Sequence, residues 1–174
     1  MKDFFLSIVI YCLCLMLVGI YVLLTYFIGH SFWPYQSSGS LVFDNGNNIR
    51  GSTLIAGHLK SEKYFKSRPA IDFDPNCDVA LYNSALKEEL LQKYDSTIRP
   101  YDITMIMPSS SGLDPFITRR EAINQALAIA KARNINPEEI YKLIDENTIY
   151  HQQPFFELDI VNSSVLNFKL DDVF

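Results

Sequence analysis

The sequence predicts an α+β protein with a single N-terminal transmembrane helix followed by one extracytoplasmic α+β domain. Three observations lead there. Phe4 to Ile28 is an uncharged apolar run, helical start signals stand at Thr118 and Asn136, and short β-branched or alternating runs lie between turn residues. The division places the membrane anchor in residues 1–29 and the domain in residues 30–174.

Apart from Ser7, Thr25 and a few tyrosines, the apolar run is built from Phe, Leu, Ile, Val, Met, Cys and Gly. About 25 such residues make a helix of roughly 37 Å, and a hydrocarbon core of about 30 Å needs around 20. A buried helix of a soluble protein would be shorter and would carry a polar stripe, which this run lacks. The alternative is a cleaved secretory signal, with an apolar core of about 7–15 residues and a small-x-small cleavage site. Here the run is longer and is followed by Gly29-His30-Ser31-Phe32-Trp33-Pro34-Tyr35, so the reading is a retained helix. Lys2 precedes the span, beside Asp3, and the next basic residue is Arg50, so the positive-inside rule favours a cytoplasmic N-terminus. Tyr26, Trp33 and Tyr35 suit the outer interface, where amphipathic rings sit at headgroup level. Within the span, Gly19, Ser7 and Cys12 read either as lipid-facing filler or as a small-residue packing face.

About 145 residues remain, enough for one domain with a real core. The chain carries 20 acidic against 15 basic residues, a net charge of -5, and nearly all of it lies in the domain. That argues against a nucleic-acid partner and against a domain lying on anionic lipid, both of which need a basic face. Cys12 and Cys14 point to faces about 200° apart on a helix, and Cys77 has no partner in the domain. No disulfide scaffold is available, so the core must stabilise the domain.

Leu41-Val42-Phe43 and Arg50 to Ile55 flank Asp44-Asn45-Gly46-Asn47-Asn48, and Asn-Gly supplies the positive φ angles of a hairpin turn. Lys60 to Pro75 reads as irregular, with Tyr64 and Phe65 as packing anchors and Arg68-Pro69 as a chain break. Leu81 to Tyr94 shows helical periodicity, with Glu88 on the wet side. Tyr101 to Met107 is apolar and β-branched enough for a central strand, and Ser109 to Pro115 is a loop by composition. Thr118-Arg119-Arg120-Glu121 is a capping box opening a helix to Arg133 that buries Ala122, Ile123, Ala126, Leu127 and Ala130. Asn136-Pro137-Glu138-Glu139 opens a second helix, with Ile140, Leu143 and Ile144 inward and an end near Asn147. Phe155 to Val161 alternates as a strand, and Asn162 or Ser163 caps a short last helix through Phe168. Asp171-Asp172 reads as a solvated tail.

The chemistry of the common enzyme motifs is missing. There is no G-x-x-x-x-G-K-[ST] phosphate loop and no G-x-G-x-x-G. His30, His58 and His151 are far apart, without H-x-x-x-H spacing. Ser109 to Ser111 lacks the flanking glycines of a nucleophile elbow. No catalytic residue, metal ligand or cofactor of its own is assigned.

Ser111-Gly112-Leu113-Asp114-Pro115, followed by a capped helix bearing Gln125 and ending Lys131-Ala132-Arg133, resembles the KdpC family. That family is the C subunit of the bacterial ATP-driven high-affinity potassium transporter Kdp. Phe32-Trp33-Pro34-Tyr35-Gln36 is similar to its F-P-x-Q after the span, and Gly39-Ser40-Leu41 to its G-S-L. Gly51 to Ile55 is similar to G-S-x-L-I, Tyr64 to Pro69 to Y-F-x-x-R-P, and Val161 to Asn167 to V-N-V-L-x-L-N. The chain departs from the family at His58, across Asn76 to Tyr82, and at Phe116.

The resemblance implies a non-catalytic accessory subunit of the bacterial inner membrane. Its partners would be a potassium-binding, channel-like subunit and a P-type ATPase subunit whose ATP affinity it raises. ATP is implied for the complex, not for this chain alone. The resemblance also marks Ser111, Gly112, Leu113, Asp114, Pro115 and Gln125 as candidate coupling or subunit contacts. For the loop, a plain strand-to-helix connection stands beside that reading, with Gly112 allowing a positive φ and Asp114 bonding locally. Gln125 reads as exposed, on a functional surface shared with the loop. A membrane-anchored extracytoplasmic hydrolase and a ligand-binding sensor domain are the rival classes.

Overall fold

The computed structural model describes residues 1–44, 46–57, 59, 61–68, 88, 105, 109, 111–150 and 159–173. These fall into two compact units, Met1–Arg50 and Gly51–Phe174.

In the first unit, helix α1 runs unbroken from Lys2–Phe32 with no buried residue. The hydroxyls of Ser7 and Thr25 are absorbed by the helix's own backbone. Ser7 Oγ donates to the Asp3 carbonyl at 2.9 Å, and Thr25 Oγ1 lies 3.0 Å from the Tyr21 carbonyl. Those two hydroxyls are satisfied without water, which is what a lipid solvent demands. This is the transmembrane helix, and among the described residues it is the one helix long and apolar enough to cross a bilayer. A one-turn helix α2 (Pro34–Ser37) follows, with Pro34 at its first position. Then β1 (Leu41–Phe43) pairs with β2 (Ile49–Ser52) as the expected hairpin.

The hairpin differs from expectation in two details. The positive φ of the turn, 61°, sits at Asn47 and not at Gly46. The Asp44 carbonyl accepts from Asn47 N–H at 2.8 Å, and Asp44 N–H donates to the Asn48 carbonyl at 2.9 Å. The second strand also stops at Ser52 instead of Ile55, because Ser52 Oγ accepts from Leu54 N–H at 3.1 Å and turns the chain.

The second unit contains β3 (Phe116–Thr118), α3 (Arg119–Arg133), α4 (Pro137–Glu146), β4 (Thr148–Ile149), β5 (Ile160–Asn162) and α5 (Ser163–Val173). The strands form an antiparallel sheet of order β3-β5-β4, with Val161 opposite both Ile117 and Thr148. Strands and helices in one chain, behind one membrane helix, make the predicted α+β architecture. Helices pack on the sheet around Phe65, Ile117, Ala126, Ile140, Ile144, Val161, Leu166 and Leu170, all 2 % exposed or less.

Both helix starts form as their sequences dictate. Thr118 Oγ1 accepts from Glu121 N–H at 3.2 Å, and Asn136 Oδ1 accepts from Glu138 N–H at 3.1 Å with Pro137 at the first helical position. Ile140, Leu143 and Ile144 are buried as expected, and the helix is capped at Asn147. In α3 the inward face is rotated. Leu127 is 60 % exposed, and the buried stripe is Glu121, Ala122, Gln125, Ala126, Ile129 and Ala130. Rotation brings Gln125 and Glu121 inward, where their polar ends have partners to meet.

Three further readings are corrected. Met105, the one described residue of the Tyr101 to Met107 segment, is helical and fully buried, not in a strand. The last helix runs beyond Phe168 to Val173. Asp171 is no loose tail: its carboxylate accepts from Arg133 Nη2 at 2.6 Å and from the Tyr64 hydroxyl at 3.2 Å. Of the Leu81 to Tyr94 helix only Glu88 is described, helical and exposed. The Phe155 to Val161 strand is seen only in its last residues, where β5 begins. His58, Cys77, His151 and the Asn76 to Tyr82 segment lie outside the described residues.

Candidate functional site

The candidate loop is pinned at nearly every residue. Gly112 takes φ 65° and donates its N–H to the Ser109 carbonyl at 2.9 Å, a bend that a side chain would strain. Ser111 Oγ accepts from Leu113 N–H at 3.3 Å, and the Leu113 carbonyl accepts from Ala56 N–H at 2.9 Å. Asp114 uses both carboxylate oxygens: Oδ1 accepts from Phe116 N–H at 2.9 Å, and Oδ2 pairs with the Arg68 guanidinium. The same two residues form an antiparallel backbone bridge. The Pro115 carbonyl closes the loop by accepting from both Ser163 N–H and Ser163 Oγ at 2.8 Å. Gly112 and Pro115 are buried, Leu113 and Asp114 half-buried, and Ser111 is exposed at the tip.

Gln125 is 4 % exposed, which overturns the expectation that it faces solvent. Its amide grips the backbone of Lys66 on both sides, Oε1 accepting from the N–H at 2.8 Å and Nε2 donating to the carbonyl at 3.2 Å. Nε2 also lies 3.3 Å from Glu121 Oε1, so the amide is held in register by a buried carboxylate one turn earlier. Asn167 on α5 does the same for the preceding residue, with Oδ1 2.7 Å from Phe65 N and Nδ2 2.9 Å from the Phe65 carbonyl. Residues 65 and 66 are thus bonded by side-chain amides where a β-strand would offer backbone. Two residues on, Arg68 reaches Asp114. The loop and Gln125 are brought together through this one segment.

The other motif residues of the second unit lock into the same framework. Asn162 Nδ2 donates to the Thr53 carbonyl at 2.7 Å, and Ser164 Oγ donates to the Ile55 carbonyl at 2.8 Å. A Cβ on Gly51 would meet Phe168 Cζ at 3.1 Å, so only glycine fits without moving that ring. Arg133 spreads its guanidinium over the Lys63 carbonyl at 2.8 Å, the Leu170 carbonyl at 3.1 Å and Asp171, and lies 4.8 Å from the centre of the Tyr64 ring. The motifs of the second unit, though far apart in sequence, meet at one junction. The family description "KdpC: K+-transporting ATPase, c chain" matches residues 5–172.

The chain belongs to the KdpC family. It is similar to the "Potassium-transporting ATPase KdpC subunit" of Escherichia coli (strain SE11), with 32% identity covering 88% of each chain. The subunit of the same description from Pectobacterium atrosepticum is 30% identical over 95% of this chain and 94% of its own. That of Pseudomonas savastanoi pv. phaseolicola is 31% identical over 81% and 77%. This KdpC-family chain is therefore an accessory subunit of a potassium-transporting ATPase complex.

Sequence reasoning missed what Asn167, Arg68 and Arg133 do. A signal for Asn167 was present: it stands beside Leu166 and one turn before Leu170, a polar residue on a face that is otherwise buried. Among the described residues, two buried polar atoms at the junction have no hydrogen-bond partner, Arg68 Nε and Ser109 Oγ. Away from the junction, Arg119 forms a two-pronged contact with Asp145 at 3.0 and 2.6 Å, and that bond raises the guanidinium pKa further above its ordinary value.

Proposed function

We propose that this chain is a non-catalytic subunit that raises the affinity of the ATP-hydrolysing subunit for ATP. Its partners are that P-type ATPase subunit and a channel-like potassium-binding subunit in the bacterial inner membrane. Residues 1–29 anchor it with the N-terminus cytoplasmic, and residues 30–174 form an extracytoplasmic domain. On that topology ATP and the domain lie on opposite membrane faces. The effect on affinity is then a coupling free energy carried through the complex, not a direct contact. The domain caps the side from which potassium enters, where its acidic balance does not repel cations.

The observation that carries this reading is the junction itself. Ser111, Gly112, Leu113, Asp114 and Pro115 form a loop whose backbone is tied to Ala56, Arg68 and Ser163 while Ser111 stays outward. A rigid loop with an exposed tip is suited to subunit contact, because little entropy is lost when it docks. Gln125 contributes from beneath, by holding the segment that holds Asp114.

The test is a mild-detergent pull-down of the tagged full-length chain from potassium-starved cells. The expected result is recovery of a P-type ATPase whose potassium-stimulated hydrolysis is lost when this chain is omitted. Recovery of the chain alone, with a substrate turned over or a small ligand bound by it in isolation, would favour the hydrolase or sensor classes instead.

A further inference from the structure

The corner between α1 and α2 has a chemistry that the subunit role does not use. We propose that residues 26–40 form an interfacial aromatic anchor, a surface that sits among lipid headgroups and fixes the depth of the membrane helix. This rests on α1 being the membrane span.

Length is the first reason. The 31 residues of α1 extend about 46 Å, against about 30 Å of hydrocarbon and about 40–45 Å with headgroups. Lys2 and Asp3 mark one end, and after them the next Asp, Glu, Lys or Arg is Asp44. The excess therefore lies at the C-terminal end, where the helix breaks.

The second reason is where the polar groups go. A backbone that leaves the helix near hydrocarbon must satisfy itself. Trp33 N–H donates to the Gly29 carbonyl at 2.9 Å, Ser37 N–H to Trp33 at 2.9 Å and Ser38 N–H to Pro34 at 3.2 Å. Gly39 N–H donates to Gln36 at 3.1 Å and Ser40 N–H to Tyr35 at 3.0 Å, and Pro34, at the break, has no N–H to place. Ser37 Oγ donates to the Pro34 carbonyl at 3.1 Å and lies 3.3 Å from His30 Nδ1. The Tyr35 hydroxyl donates to the Ser40 carbonyl at 3.2 Å.

The third reason is what remains outside. Phe32 is 72 % exposed, Trp33 58 % and Tyr35 47 %, each presenting an aromatic ring. Trp33 has an indole N–H without a partner among the described residues, free to donate to a lipid ester carbonyl. The backbone groups of this corner bond to one another while three of its rings face outward. With no Lys or Arg between Lys2 and Arg50, the anchor reads the interface itself and not anionic headgroups.

Trp33 is the only tryptophan, so native fluorescence of the full-length chain reports on the corner directly. The chain is reconstituted in phosphatidylcholine vesicles, recovered by flotation, and compared in lipids brominated near the glycerol or near the chain end. Iodide on both sides probes exposure to water. The expected result is a larger loss of emission with shallow than with deep bromines, protection from iodide, and no change on adding salt or anionic lipid. In a Trp33→Phe, Val18→Trp chain, with its reporter at mid-span, the order of the two brominated lipids reverses. Strong iodide quenching in floated vesicles overturns the proposal, because the corner is then in water. So does silence to both quenchers, which means that protein covers it, or a dependence on anionic lipid. Failure of the chain to float is a different failure, that of the membrane span.

Discussion

The membrane helix and the motif junction hold their shape by opposite means. In α1 no residue is buried by protein, and Ser7 and Thr25 bond within their own turn. At the junction, Gln125, Asn162, Ser163, Ser164 and Asn167 each reach a backbone group 48 or more residues away. One region is specified by composition and takes its partner from the bilayer. The other is specified by a few polar side chains, each aimed at one carbonyl or N–H. Substitutions should therefore act differently in the two places: by chemical class in α1, by single position at the junction.

The largest effect is expected at Asn167. Asn167→Ala leaves the N–H and carbonyl of buried Phe65 without partners, at about 2 kcal/mol each, so unfolding stability should fall by about 4 kcal/mol. Urea unfolding of the full-length chain in detergent measures it, and a loss under about 1 kcal/mol would show that the clamp is dispensable. In the helix, Leu17→Asp should oppose insertion by about 3 kcal/mol. Flotation with vesicles would read this as a lowered membrane-bound fraction, whereas Leu17→Ile should leave it unchanged. Equal behaviour of the two variants would contradict specification by composition.

Gln125→Ala comes next, at about 2 kcal/mol, smaller than Asn167→Ala because Lys66 is only half-buried and water can reach it. If Gln125 were a surface contact alone, the variant would unfold like the parent. The smallest effect belongs to Leu127→Gln, two positions along the same helix and 60 % exposed. Its stability should stay within about 0.5 kcal/mol of the parent.

Legibility in the sequence followed the same division. The span, both helix starts, the hairpin and the inward face of Pro137–Glu146 were readable because each depends on neighbours in the chain. Leu127 and Gln125 exchanged places because periodicity ranks residues by polarity. It cannot see that an amide has two backbone partners waiting on a segment 59 residues away. Asp171 was misjudged for the same reason, since Arg133 and Tyr64 reach it from far along the chain. The loop from Ser111 to Pro115 was legible as a motif, and Gly112 as its bend. That Asp114 would join Arg68, and Pro115 join Ser163, is information of the fold alone.

The proposed role of this subunit is to change how the ATPase subunit meets ATP. It is tested most directly by potassium-stimulated ATP hydrolysis as a function of ATP concentration, in reconstituted complexes with and without this chain. The predicted result is a higher KM for ATP when the chain is absent, restored when the full-length chain is added back. An unchanged KM, in complexes that assemble and hydrolyse ATP equally well without it, would contradict the claim.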